Sequence, residues 1–187
     1  MFSRLLERLA LGLDRARISY MVIGGQAVLL YGEPRLTKDI DVTVGVNLDR
    51  LADMVRLAQD LKLTPLVDPE TFARETMVLP CQDPDSGIRV DFVFSDSRYE
   101  QIAIDRAKPV AIGSAHVRFA SLEDLIIHKL VAGRARDIED VVGIVRKNRQ
   151  LDAIYVEQWL ATLGAALDQP LVHRWREIFG RESRHQG

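Results

Sequence analysis

Two aspartates separated by a single residue carry the clearest chemical signal in this sequence. Asp39 and Asp41 lie in the run K-D-I-D-V-T-V, whose alternation of polar and apolar residues predicts a β-strand. Successive side chains of a strand point to opposite faces, so the two carboxylates share one face, about 6.6 Å apart along the backbone. Two acids this close repel each other unless a cation lies between them, and hard oxygen ligands suit Mg²⁺. The pair is therefore a candidate magnesium site.

An isolated D-x-D motif on a solvated strand usually binds nothing, but two glycines upstream strengthen the signal here. Gly24 and Gly25 follow the apolar run I-S-Y-M-V-I and precede an alanine- and leucine-rich helical turn. A strand, two glycines and a helix N-terminus present free backbone N–H groups and the positive end of a helix dipole to an anion. Glycine also allows a phosphate to approach the backbone closely. A phosphate cradle next to a carboxylate metal site indicates nucleotidyl or phosphoryl transfer.

The motif also resembles a known family. The segments G-G-Q-A and R-L-T-K-D-I-D resemble the signature of the DNA polymerase β-type nucleotidyltransferase superfamily. The Arg-x-Thr before D-I-D is similar to the branch that contains the AbiEii-type toxin nucleotidyltransferases. The resemblance implies an α+β fold, in which a small mixed sheet flanked by helices forms a polymerase-β-type core and a C-terminal helical section follows. It also implies a nucleoside triphosphate substrate and Mg²⁺ as cofactor.

The resemblance assigns roles to individual residues of the first hundred. It implies a third carboxylate, Asp91, which interrupts the apolar run I-R-V-D-F-V-F and would join the first two in binding metal and in catalysis. An unpaired charge is expensive to bury, so the alternative is a surface aspartate paired with Arg89 on the same strand face. The residues implied to bind substrate are Gly24, Gly25, Arg35 and Thr37.

A second group lies in the run H-K-L-V-A-G-R-A-R-D-I-E-D. By resemblance, Lys129 would neutralise triphosphate charge as an ammonium and would contribute to catalysis and substrate binding. Asp137 would anchor or orient it, together with Asp140, or accept a proton. The alternative is that Lys129 and these aspartates form exposed ion pairs on adjacent helices, each worth under about 1 kcal/mol.

Composition limits the remaining possibilities. The 187 residues are 47% hydrophobic with a net charge of −2, enough for a core and without an overall charge that attracts nucleic acid or membrane. We predict a nucleotidyltransferase core over 1–120 and a helical section over 121–187. No apolar run is long enough for a membrane span. Cys81 is the only cysteine, so no intrachain disulfide forms, which favours the cytoplasm.

Periodicity and turn residues predict the order of the elements. Helices are predicted over 2–17, 25–31, 47–61, 97–106, 121–133, 134–149, 152–167 and 171–179. Strands are predicted over 18–23, 38–46, 76–79, 88–94, 109–112 and 116–119, with a hairpin at the D-P-D-S-G turn. Residues 65–69 are predicted as a turn.

Two functional hypotheses follow. The first is a Mg²⁺-dependent nucleotidyltransferase that moves a nucleoside monophosphate to an RNA, a protein or a small molecule, in a toxin–antitoxin or phage-defence module with a cognate antitoxin or toxin. The second is a catalytically silent protein of the same fold that binds a partner as an antitoxin or regulatory module. The presence of all three candidate carboxylates favours the first. The sequence does not encode the acceptor or the base preference legibly.

Overall fold

The structure is a computed structural model that describes residues 1–95 and 97–184. Contacts group the chain into two compact units, which we call the sheet unit (residues 1–26 and 36–120) and the helical unit (residues 27–35 and the chain from 121 onward). The predicted division at residue 120 assigned 27–35 to the first segment, whereas the contacts group these residues with the second. The division into a core over 1–120 and a helical section over 121–187 stays a prediction.

The elements follow one another in a mixed order of helices and strands. Within the described residues the helices are α1 (Phe2–Arg15), α2 (Gly24–Tyr31), α3 (Leu51–Asp60), α4 (Pro69–Thr76), α5 (Arg98–Asp105), α6 (Leu122–Ala132), α7 (Ala135–Lys147), α8 (Ala153–Leu167) and α9 (Leu171–Arg184). The strands are β1 (Tyr20–Ile23), β2 (Asp39–Val44), β3 (Thr64–Pro65), β4 (Val78–Gln82), β5 (Arg89–Phe94), β6 (Lys108–Ile112) and β7 (Ala115–Phe119). A 3₁₀ turn over Leu48–Arg50 leads into α3.

The sheet unit is built on one mixed sheet, which confirms the predicted α+β class. In the described residues its strand order is β3-β4-β5-β2-β1-β7-β6. Strand β2 runs parallel to β5 and antiparallel to β1, and β1 runs parallel to β7. The other neighbours are antiparallel. Alternating apolar residues of β2 and β5 are buried on one face, and they are Ile40, Val42, Val44, Val90, Phe92 and Phe94. The intervening polar residues therefore lie on the opposite face.

The sequence analysis misses two elements of the sheet unit, the short strand β3 and helix α4. The predicted turn over 65–69 ends where α4 begins, at Pro69. Asp68 caps the helix, because its carboxylate accepts a hydrogen bond of 2.9 Å from the backbone N–H of Thr71. An aspartate cap followed by proline at the first helical position is a helix start signal, and it outweighs the turn preference of the same two residues.

The helical unit contains α6 to α9 and the C-terminal part of α2. Its core consists of apolar side chains from all of these helices, among them Val28, Leu125, Ile126, Leu130, Val141, Ile144, Val156, Leu160 and Trp175. Side chains at the end of α7 hold the chain that follows α2, since Asn148 Nδ2 donates to the carbonyl of Tyr31 (2.8 Å) and Lys147 Nζ to that of Gly32 (3.0 Å). Within α9 the ring of Trp175 stacks on that of Phe179, with ring centroids 5.0 Å apart.

None of the helices in the described part of the chain is both long and apolar enough to cross a membrane.

Candidate active site

The polar face of the sheet unit carries a compact array of charged side chains. In the parallel register of β2 with β5, Asp41 lies beside Asp91 and Asp39 lies beside Arg89. The three carboxylates therefore occupy neighbouring positions on one face of two adjacent strands. All three are partly exposed to solvent. The register was not available from the sequence, and it is what brings Asp91 next to the D-x-D pair.

Gly24 meets this array directly. It follows β1, whose last residue, Ile23, lies beside Asp41 in the antiparallel register. Its φ is +64°, and a Cβ at this position would overlap the Asp41 carboxylate oxygen Oδ2 and lie 2.9 Å from the Asp41 Cγ. Only glycine meets both requirements, the left-handed backbone and the close approach. The start of α2 is therefore held in contact with one of the predicted metal ligands.

Thr37 is fixed by the helix that follows the glycines. Gln26 Nε2 donates a hydrogen bond of 2.5 Å to Thr37 Oγ1, and both side chains are buried. This bond joins the first turn of α2 to the loop that precedes β2. A threonine hydroxyl that accepts in this way keeps its own hydrogen as a donor.

Arg89 is the cation of the array. Its Nε donates to Asp91 Oδ1 over 2.7 Å, and its side chain is 49% exposed whereas that of Asp91 is 15% exposed. The hydrogen bond to Asp91 raises the pKa of the Arg89 guanidinium, and the charges of Asp91, Asp39 and Asp41 raise it further. The ion pair that the sequence offered as an alternative reading of Asp91 is therefore present, within the same array as the predicted metal ligands.

The residues fit a magnesium ion in chemical type and in register. Three carboxylates on adjacent strands form a hard oxygen donor set, and the close contact of Gly24 with Asp41 places backbone beside a ligand oxygen. Across residues 1–95 and 97–184, however, no three His, Cys, Asp or Glu side chains converge closely enough to hold a metal ion as they stand. In this arrangement one oxygen of Asp91 is engaged with the Arg89 guanidinium.

The only cysteine lies next to this array but is not a nucleophile. Cys81 is fully buried in β4, beside Val90 of β5. Burial raises the pKa of the Cys81 thiol to about 12, and the charge of Asp91 acts in the same direction. A thiol with this pKa stays protonated at neutral pH, so it is a poor nucleophile.

The helical unit holds the second predicted group as a buried charge network. Lys129 Nζ lies 2.7 Å from Asp137 Oδ1 and 2.8 Å from Asp140 Oδ2, and the lysine side chain is only 6% exposed. Arg35 binds Asp140 through two hydrogen bonds of 2.9 and 3.0 Å. Arg134 donates to Asp137 over 2.6 Å. Cations and carboxylates thus alternate along one chain of contacts.

Burial changes the interpretation of these ion pairs. Desolvation raises the pKa of Asp137, but the hydrogen bonds and charges of Arg134 and Lys129 outweigh it and hold the pKa below its ordinary value. The exposed-pair alternative offered by the sequence is wrong, since Lys129, Asp137 and Asp140 are all buried. The expected contact of Lys129 with a triphosphate is untested by these distances and stays a prediction.

The predicted site residues therefore fall into two groups, one in each unit. The sheet unit holds Gly24, Gly25, Thr37, Asp39, Asp41 and Asp91, and the helical unit holds Arg35, Lys129 and Asp137. Gln26 and Arg134, which the prediction did not use, contact predicted site residues, and so does Arg89, which the sequence offered only as an ion-pair partner of Asp91. The position of Arg89 two residues before Asp91 was the one sequence signal for its role, because residues two apart on a strand share a face.

Comparison with known proteins identifies a family at the level of sequence. The model of the family described as "Nucleotidyl transferase AbiEii toxin, Type IV TA system" matches residues 4–182. The comparison with curated protein sequences gave no match.

Solved structures show the same fold at low sequence identity. An antigenic nucleotidyltransferase-like protein from Paracoccidioides brasiliensis is 19% identical, with a TM-score of 0.54 over 93% of this chain and 91% of the other. The antibiotic-resistance factor ANT(2'')-Ia is 16% identical in its solution structure, with a TM-score of 0.50 over 98% and 96% of the two chains. Its crystal structure in complex with adenylyl-2''-tobramycin is 17% identical, with a TM-score of 0.50 over 95% and 98%.

Proposed function

Because the chain belongs to the AbiEii family of nucleotidyl transferase toxins, we propose that it is a Mg²⁺-dependent enzyme that moves a nucleoside monophosphate from a nucleoside triphosphate to an acceptor. Nucleotidyl transfer is the activity of the family, while the cofactor, the nucleotide and the acceptor are the content of the proposal. The observation that supports it is the close approach of Gly24 to Asp41, which brings the helix start proposed to bind phosphate next to a carboxylate proposed to bind the metal.

In this proposal the array of the sheet unit binds the triphosphate. The backbone N–H groups of Gly24 and Gly25 at the start of α2 would bind phosphate oxygens, aided by the positive end of the helix dipole. Asp39, Asp41 and Asp91 would hold Mg²⁺, which, when bound, neutralises charge on the phosphate oxygens. The hydrogen bond from Gln26 to Thr37 fixes the loop before β2, so that the substrate-binding role proposed for Thr37 starts from an ordered side chain.

The transfer itself is an in-line displacement at the α-phosphorus. A bond forms between an acceptor oxygen and this phosphorus, the bond to the bridging oxygen breaks, and pyrophosphate leaves with the electron pair. The acceptor must lose its proton, and Asp91 is the candidate base because it is the carboxylate of the array on the second strand. The alternative role of Asp91, as a ligand of a second metal ion, uses the same side chain.

The buried network supplies the second part of the proposal. Lys129 would neutralise triphosphate charge by exchanging one of its two carboxylate partners for a phosphate oxygen, which keeps the ammonium paired. Asp137 would then orient the lysine, because it keeps its second partner, Arg134. Arg35 would contribute a guanidinium whose direction is fixed by Asp140.

We propose the acceptor as a chemical class, and a toxin–antitoxin module as the biological setting. ANT(2'')-Ia, a protein of the same fold, binds adenylyl-2''-tobramycin in its crystal structure, so the fold accommodates an adenylylated small molecule in that protein. For this chain we retain an RNA, a protein or a small molecule as acceptor. The family description supports a toxin–antitoxin setting with a cognate antitoxin as partner. The unpaired thiol Cys81 fits a cytoplasmic location.

A transfer assay tests the proposal. The protein is incubated with each of the four α-labelled triphosphates, Mg²⁺, and pools of transfer RNA, protein or aminoglycoside, while pyrophosphate release and label transfer are measured. We expect transfer with at least one pair of substrates and a fall of about 100-fold or more in Asp41→Asn and Asp91→Asn, the scale of losing one charge-stabilising group. Asp60→Asn, at an exposed carboxylate of α3, is the control and should retain activity. Full activity in Asp41→Asn would contradict the proposed site.

A further inference from the structure

The charged array contains more negative than positive groups. Asp39 and Asp41 on β2 lie beside Arg89 and Asp91 on β5, so three carboxylates and one guanidinium occupy these four neighbouring positions. Carboxylates at neighbouring strand positions destabilise one another unless a cation lies among them. Arginine stays charged at any pH at which the protein folds. Arg89 therefore supplies the cation of the array from within the chain.

The contact of Arg89 with Asp91 can be broken at small cost. The guanidinium donates through Nε to one oxygen of Asp91, Oδ1, over 2.7 Å, rather than in the two-bond form that Arg35 makes with Asp140. About half of the Arg89 side chain is exposed, so water can solvate the guanidinium when it leaves. Partly exposed single contacts of this kind are weak.

The same contact engages one of the two carboxylate oxygens of Asp91 that a metal ion would use. Asp91 Oδ1 accepts from Arg89, so a cation that approached Asp91 would meet the positive charge of the guanidinium beside it. A divalent cation and the guanidinium therefore compete for the same carboxylate.

We propose that Arg89 is a displaceable counter-ion of the magnesium site. It pairs with Asp91 in the metal-free protein and releases Asp91 when a divalent cation binds. This inference rests on the proposed function, because it takes the three carboxylates as the metal ligands. It assigns Arg89 a positioning role: it stabilises the empty site and, by competing, sets the concentration of cation at which the site fills. It makes the unusual prediction that removing a residue of the site tightens metal binding.

The test compares Arg89→Met with Arg74→Met in the absence of nucleotide. Methionine keeps much of the apolar stem and removes the charge. Arg74 forms an exposed ion pair with Glu70 within α4, so its substitution removes the same charge elsewhere in the sheet unit. Mn²⁺ binding is measured by calorimetry and by electron paramagnetic resonance, and the midpoint of thermal unfolding is measured with and without Mg²⁺.

We expect Arg89→Met to bind Mn²⁺ about fivefold more tightly than wild type, which corresponds to losing a competing ion pair of about 1 kcal/mol. Its metal-free midpoint of unfolding falls below that of wild type, and Mg²⁺ raises it by more than it raises wild type. Arg74→Met leaves the Mn²⁺ affinity unchanged. Arg89→Lys, which keeps the charge, stays close to wild type in affinity.

Unchanged or weaker Mn²⁺ binding in Arg89→Met overturns the proposal, since Arg89 would then orient Asp91 for the metal rather than compete with it. Absence of Mn²⁺ binding and of any Mg²⁺ effect on unfolding in both proteins also overturns it, because no cation would compete. Failure of the transfer assay, with the affinity difference still present, counts against the proposed function and leaves the role of Arg89 standing. The two claims are thus separated by their readouts.

Discussion

At the scale of single residues, a glycine is central to the proposed site. Gly24 combines a φ of +64° with a hydrogen in the place where any other residue would put a Cβ against the Asp41 carboxylate. The left-handed backbone alone costs a non-glycine residue about 1–2 kcal/mol. The overlap is a separate effect, because it displaces a predicted metal ligand. Gly24→Ala should therefore impair binding by more than its loss of stability explains.

Gly87→Ala is the matched control for Gly24→Ala. Gly87 has a φ of +70°, but a Cβ there would meet nothing within 4 Å. We expect both variants to lose about 1 kcal/mol or more in the free energy of unfolding. Only Gly24→Ala should lose Mg²⁺-dependent binding of triphosphate, measured by calorimetry on folded protein. Equal binding by the two variants would show that the Gly24 contact with Asp41 has no role in the site.

A second residue-scale prediction concerns Asp137 and pH. Its folded-state pKa lies below the ordinary value of 3.8, so the stability it contributes is complete above about pH 4 and is lost as the pH falls through the folded value. Asp137→Asn removes a buried partner of Lys129 and should cost about 3 kcal/mol at pH 7, measured by urea unfolding. The difference from wild type should shrink below pH 4.

Asp53→Asn provides the comparison for Asp137→Asn. Asp53 also pairs with two arginines, Arg50 and Arg56, but on the exposed face of α3. Its loss should cost much less than the loss of Asp137 at pH 7, because solvent screens exposed ion pairs. A cost for Asp137→Asn as small as that of Asp53→Asn would mean that the buried network contributes no more than a surface pair.

At the scale of elements, the turn between α6 and α7 allows the buried network to form. Gly133 ends α6 with a φ of +64°, and α7 then returns so that Asp137 and Asp140 reach Lys129. Gly133→Ala should destabilise the protein by about 1 kcal/mol, because alanine disfavours this backbone conformation. A Cβ there would also lie 2.9 Å from Arg174 Nη1, whose flexible side chain can move.

Gly180→Ala should have the opposite effect. Gly180 lies inside α9, and a Cβ there would meet nothing within 4 Å. Alanine favours the helix over glycine by about 0.8–1.0 kcal/mol, so this variant should be more stable than wild type. Thermal unfolding of the two variants measures both effects. A stabilised Gly133→Ala protein would contradict the role assigned to the turn.

Most helices could be predicted from the sequence, but one helix and the pairing of the strands could not. Local signals place most helices within a few residues: Ser97 forms a capping box with Glu100, Ser121 caps α6, and Gly133 ends it. Helix α4 is missed because Asp68 and Pro69 serve equally well in a turn and at a helix start. The parallel pairing of β2 with β5 joins strands far apart in sequence, and no local pattern encodes such a register.

The same limit applies to the candidate site. Spacing predicts that Asp39 and Asp41 share a face, and the resemblance adds Asp91, because these signals are local. Burial of Lys129 is set by the packing of the helical unit, so the sequence could not distinguish a buried network from an exposed pair. The approach of Gly24 to Asp41 depends on the register of β1 with β2.

At the scale of the whole molecule, overall charge offers no attraction for a nucleotide. The chain has a net charge of −2, so binding of a triphosphate must come from local features. In this account those features are the helix start at Gly24 and a cation held by carboxylates. It follows that triphosphate binding depends on Mg²⁺ and on the D-x-D pair together. Neither the fold nor the basic side chains would bind the triphosphate without them.

The most direct test is calorimetric binding of each of the four triphosphates, with and without Mg²⁺, to wild type and to Asp39→Ala/Asp41→Ala. The control is Asp60→Ala/Asp85→Ala, which removes two exposed carboxylates of the same unit and so changes the net charge equally. The account predicts Mg²⁺-dependent binding of at least one triphosphate to wild type and to the control, and its loss in the D-x-D variant. Binding that persists unchanged in folded Asp39→Ala/Asp41→Ala, or that is absent from wild type with every triphosphate, would contradict it.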